Sequence, residues 1–211
     1  MLEKIVKVVN DFQEMYDAEK AKLKAEMTRI EKTYNPMGTE YNTAKIAARN
    51  AFNEKIEKER IAANEKIQMY ANSDRKELAD ITSKPAPEDA LTTIELLKAG
   101  NPESTSEFEV RSILDKYNGN YLATKMIVQI TDAAKRFGIM FSPADEIIDN
   151  INEIERMAFD LVRQYNGNAS YAQSVLLNGK IIMNVNERVQ NFLNGEYCKT
   201  FSETMRRAVN A

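Results

Sequence analysis

The chain has 211 residues, 29 of them basic and 32 acidic, for a net charge of −3 at neutral pH. It contains no His, no Trp and a single cysteine, Cys198. These features exclude an internal disulfide and every Ser-His, Cys-His or His-containing metal arrangement, and they leave no basic excess for neutralising phosphates.

The opening residues, MLEKIVKVVNDF, are too short and too interrupted by Lys4 and Lys7 to act as a signal-peptide core. From Leu2 to about Thr33, apolar residues recur every three or four positions. Leu2, Ile5, Val9, Phe12, Tyr16, Leu23 and Ile30 form one stripe, with Glu19 and Glu26 interrupting it. The stretch YNPMGTEYN, residues 34–42, is turn punctuation. The segment from about Thr43 to Ile81 has no Gly or Pro, and its large apolar residues Ile46, Ile56, Ile67 and Leu78 fall ten and then eleven residues apart. An eleven-residue repeat corresponds to nearly straight helix packing. Alanines at 44, 47, 48, 51, 62 and 63 would let another helix come close. A long helix with one thin apolar stripe needs a partner. Candidates are the first helix folded back antiparallel, or another copy of the chain.

TSKPAPEDA, residues 82–90, is the clearest boundary, since Pro85 and Pro87 stop the helix by about Ser83. Shorter helices follow. PEDALTTIELLKAG ends at Gly100, STSEFEVRSILDKY offers Ser104 and Glu107 at capping-box spacing, and SPADEIIDNINEIERMAFDLVRQY has Ser142 as N-cap with Pro143 first in the helix. EYCKTFSETMRRAV reads as a last helix, with Tyr197, Phe201, Met205 and Val209 on one face. GKIIMNV, residues 179–185, is the only apolar run that could be a strand. The expected fold is therefore all-α. It has a long, coiled-coil-like antiparallel hairpin over residues 1–84 and a compact multi-helix domain over residues 85–211. The first carries a net charge of +1 and the second −4.

Tyr-Asn-Gly-Asn occurs twice, at 117–120 and 165–168. Each copy follows an amphipathic helix and precedes another. Gly119 and Gly167 are therefore expected in the left-handed conformation after the last turn, with Asn120 and Asn168 capping the next helix. Capping uses every residue of the motif except the tyrosine. The other reading is a pair of equivalent polar loops that meet a ligand or partner.

Candidate chemistry is sparse. Neither GxxxxGK[ST] nor GxGxxG occurs. Cys198 lacks a base and reads as a structural thiol. Asp145, Asp149 and Glu153 share a helix face with Glu146 nearby, which is only part of a metal shell and reads as a solvated surface. TDAAKRFGIMFSPADEII resembles the helix-turn-helix of DNA-binding proteins over about 18 residues. Its second helix, however, would carry Asp145, Glu146, Asp149, Glu153 and Glu155 against phosphates. It is read as a helix–helix corner.

The expectation is a non-enzymatic interaction or assembly protein without cofactor or metal. Its architecture is similar to small helical phage scaffolding or head–tail adaptor proteins. Candidate interaction residues are Ile46, Ile56, Ile67, Leu78, Tyr117 and Tyr165. The expected partners are proteins, including copies of the chain itself, with no membrane and a cytoplasmic location (or a host cell or virion if phage-encoded). The alternative is a regulator or inhibitor that binds a nucleic acid or a nucleic-acid-handling protein.

Overall fold

A computed structural model describes residues 2–167 and 185–200. The chain is all-α, and its two long N-terminal helices pack against each other. Helix α1 covers Leu2–Thr33 and α2 covers Thr39–Thr82. At 1.5 Å per residue, the 44 residues of α2 span about 66 Å. The turn between them is held by Asn35, whose carbonyl accepts from Gly38 N and whose side chain accepts from Met37 N. The helices run antiparallel. Lys4 lies over the Tyr70 ring, Tyr16 meets Phe52 edge-on at 5.7 Å, and Lys45 pairs with Glu31 at 3.0 Å.

Beyond α2 come α3 (Glu88–Ala99), a 3-10 turn (Pro102–Ser104), α4 (Glu107–Lys116), α5 (Tyr121–Ile130) and α6 (Ala133–Phe137). Next are β1 (Ile139–Phe141), α7 (Ala144–Gln164), a helical segment at 185–193 that we label α8, and β2 (Cys198–Thr200). Cα packing groups these elements into two compact units. One comprises Met1–Asn72 with Asn152–Asn184, and the other Ser73–Ile151 with Val185–Ala211.

In the first unit, Ile5, Val9, Phe12 and Ile30 of α1 are buried, as are Ile56, Ala63, Ile67 and Ala71 of α2. Ile154, Ala158 and Val162 of α7 are buried too. In the second unit, α3 and α4 both pack on α5. The core there is built on Ala90 and Ile94, Val110 and Leu114, Ile127 and Ile139. Tyr121, Phe192 and Tyr197 form an aromatic cluster with centroids 5.0–5.6 Å apart.

Three local expectations are corrected. Residues 139–141 do not run straight into the next helix. They pair antiparallel with residues 198–200, Met140 opposite Lys199, and Ser142 N continues the contact to Tyr197 O. Cys198–Thr200 is therefore strand rather than the last helix; residues 201–211 lie outside the described residues. The helix–helix corner at 134–144 is thus a left-handed Gly138 followed by a strand. The capping box of α4 uses Ser106 and Glu109, not Ser104 and Glu107. Ser104 is already committed to the preceding 3-10 turn, where its hydroxyl donates to Asn101 O at 2.7 Å. The candidate strand at 179–185 falls outside the described residues except for Val185, which is helical.

Arg136 fixes the connection between α3 and α4. Its guanidinium donates to the carbonyls of Pro102, Glu103 and Thr105 at 2.7 Å each, and to Thr131 O at 3.0 Å. A planar fork with five N–H groups can satisfy four carbonyls at once.

Candidate functional site

Both Tyr-Asn-Gly-Asn repeats stand at the end of a helix. Gly119 and Gly167 have φ of +87° and +76°, the left-handed backbone that ends a helix. Asn120 caps α5, its Oδ1 accepting from Ala123 N at 2.9 Å while its Nδ2 donates to Pro85 O. Asn168 lies outside the described residues.

Each tyrosine has a job that capping did not account for. Tyr117 and Tyr165 are both buried, and each phenol reaches an aspartate on a different helix. Tyr165 donates to Asp17 Oδ2 at 2.7 Å, and its ring meets Tyr16 edge-on at 5.3 Å. Tyr117 donates to Asp89 Oδ2 at 3.2 Å and shares a hydrogen bond with Thr93 at 2.9 Å. A lysine attends each turn. Lys116 pairs with Asp89 at 3.0 Å, and Lys20 donates to Asn166 O at 2.9 Å. A side chain at 167 would meet Lys20 Nζ at 2.7 Å, so that lysine packs over the glycine. Burial, reinforced by the bond to Asp17, pushes the Tyr165 phenol up to about 12. Lys116 beside Asp89 holds that carboxyl below its ordinary value. Within each unit the motif is a helix stop with a strut attached.

The four isoleucine and leucine positions on α2 divide. Ile56, Ile67 and Leu78 are buried at 4%, 0% and 2% exposure, whereas Ile46 is 58% exposed. Spacing explains the split. Eleven residues advance a helix by about 20° beyond three full turns, so 56, 67 and 78 stay in line, whereas ten residues place Ile46 about 80° off. Three of the four are thus core side chains of the chain itself. Ile61 and Met69, which the spacing did not single out, are exposed on α2 along with Ile46.

A cleft of ≈ 90 Å³ opens along the α1–α2 hairpin. From α1 it is lined by Val8, Asp11, Phe12 and Met15, and from α2 by Glu59, Ala62, Ala63 and Lys66. It is far smaller than the roughly 300–1,000 Å³ typical of small-molecule pockets, and about the size of one side chain.

Asp145, Asp149 and Glu153 are exposed on α7, and Glu146 pairs with Arg188 at 2.6 Å. Among the described residues, no group of three or more His, Cys, Asp or Glu side chains could hold a metal ion, and no helix is long and apolar enough to cross a membrane. Burial pushes the half-buried Cys198 thiol up to about 12, which disfavours the nucleophilic thiolate. The chain is all-α, with a long N-terminal helical hairpin that carries a narrow open cleft. The chain matches no protein family, no curated protein and no solved structure.

Proposed function

We propose that this chain is a non-enzymatic interaction or assembly protein, scaffold- or adaptor-like, that binds protein through the long hairpin. The observation that supports this reading is the outer surface of α2. Ile46, Ile61 and Met69 are 58%, 52% and 55% exposed there. At 100° per residue they fall about 80°, 140° and 220° round from Ile56, an arc of about 140° that begins at the edge of the buried stripe. Isolated apolar side chains are common on protein surfaces, but three along one long helix offer spaced contact points to a protein partner.

The test is light scattering coupled to size exclusion over a range of concentrations, on the natural chain and on the triple variant I46D/I61D/M69D. The expected result is a mass that rises with concentration in the natural chain and stays monomeric in the variant. Equal association by both would overturn the assignment to this surface. A monomer at every concentration would overturn self-assembly.

A further inference from the structure

The cleft has an internal symmetry that the outer surface of α2 lacks. On α2, Glu59 and Lys66 are seven residues apart, two helical turns, and their midpoint falls between Ala62 and Ala63. On α1, Val8 and Met15 are also seven apart, and their midpoint falls between Asp11 and Phe12. All of these residues line the same cleft. The two midpoints therefore sit side by side across the hairpin.

We infer that the cleft face is a two-fold interface that docks a second copy of this chain, antiparallel, with the symmetry axis crossing the hairpin at Ala62–Ala63 and Asp11–Phe12. Such an axis reverses direction along the helices and keeps α2 over α2 and α1 over α1. Glu59 then faces Lys66 of the second copy, and Lys66 faces its Glu59, giving two equivalent ion pairs. Val8 faces Met15 of the second copy, twice over, as an isologous interface requires. Ala62 at the centre is half-buried and carries little bulk, and Ala63 beside it is buried within the chain, so the two α2 helices can approach closely. The occupant is fixed by charge. The α2 side of the rim, with one acid and one base placed symmetrically about small residues, is complementary to itself when reversed, whereas an unrelated acidic or basic helix would satisfy only half of it. Glu59 already meets Lys55 within the chain at 2.6 Å. That pair is an exposed i, i+4 contact of the kind that contributes little, so it does not compete strongly with a partner.

The arrangement has one unfavourable element. Asp11 lies beside the axis, so the two copies of Asp11 come near each other. Removing that charge is expected to tighten the dimer.

This inference rests on the reading of the hairpin as an association surface, and the test separates the two. Dimer dissociation constants are measured by sedimentation equilibrium for the natural chain, K66E, E59K, the double swap K66E/E59K, and D11N. Both swapped residues lie at the surface, and thermal melts by circular dichroism confirm that the variants are folded. Each single swap replaces two attractions with two repulsions and is expected to weaken the dimer about tenfold or more. The double swap is expected to recover most of that loss, and D11N to bind a few-fold more tightly than the natural chain. A chain that stays monomeric, singles that leave the dimer unchanged, or a double swap no better than either single would overturn the cleft dimer. A dimer lost in I46D/I61D/M69D and indifferent to the swaps would overturn it too, while leaving the broader association reading in place. The reverse pattern would assign association to the cleft and reject the outer surface of α2.

Discussion

Replacing Tyr165 with Phe removes one hydroxyl and leaves the buried ring in place. The lost bond is a 2.7 Å contact to the Asp17 carboxylate. Hydrogen bonds to charged acceptors contribute about 1.5–3 kcal/mol. Asp17 is exposed and water can replace the phenol there, so the expected cost of Y165F is at or just below the lower end of that range, about 1–1.5 kcal/mol. In a chain of this length that corresponds to a melting shift of roughly 2–6 °C. Asp17→Ala is expected to cost at least as much, because it strands a buried phenol without its acceptor rather than leaving a solvated carboxylate without its donor. Urea unfolding of the two single variants and the double variant gives the coupling directly. About 1 kcal/mol is expected, and coupling within about 0.3 kcal/mol of zero would refute the strut. The strut also has a pH signature. The fold keeps Tyr165 protonated, raising it from 10.0 to about 12. The unfolded chain releases this proton first, so the contribution is complete below pH 10 and is lost as pH rises through about 12. The stability difference between the natural chain and Y165F should shrink across that window.

Ile67 is 0% exposed, so Ile67→Ala is expected to cost about 2–5 kcal/mol of folding stability. Ile46→Ala should change stability by no more than about 0.5 kcal/mol, and equal losses in chemical denaturation would contradict the placement of the stripe. Arg136→Lys keeps the charge but replaces a planar fork with a single ammonium of three donors, losing at least one of the four carbonyl bonds and the fork geometry that aims the rest. An expected loss of about 2 kcal/mol should appear together with faster amide exchange in residues 103–106, and unchanged exchange there would refute the clamp. Cys198 in the folded chain should react with a thiol reagent at pH 8 at least about tenfold more slowly than in denaturant, because burial suppresses the thiolate. Equal rates would show an open thiol.

The hairpin was legible because its punctuation is local. Asn35, Pro36 and Gly38 mark one end of α2, and Pro85 and Pro87 follow the other. The exposure of Ile46 was also implicit in the spacing, since ten residues are not a whole number of turns, although a list of large apolar positions hides the rotation. The capping box was ambiguous on its face. Ser-Thr-Ser-Glu-Phe-Glu contains two acceptable pairs, and only the 3-10 turn that takes Ser104 decides between them. Residues 139–141 and 198–200 are too short for alternation to register, and each is a strand only because the other, far along the chain, lies beside it. The tyrosine struts were invisible for the same reason. Nothing near Tyr165 in the sequence points to Asp17. The cleft needed both kinds of information, seven-residue spacing within each helix and the antiparallel alignment between them.

The interleaving of the two units also governs how the chain can be made and cut. Residues 1–72 belong with 152–184, and 73–151 belong with 185–211. During synthesis, then, the first unit must wait through the whole of residues 73–151, and beyond, before Tyr165 arrives to meet Asp17. The second waits for Cys198 to reach the strand at 139–141. Neither unit is complete when its first part leaves the ribosome. No single cut between residues 72 and 184 releases an intact unit, and any stop within that interval leaves two unfinished cores rather than one finished one.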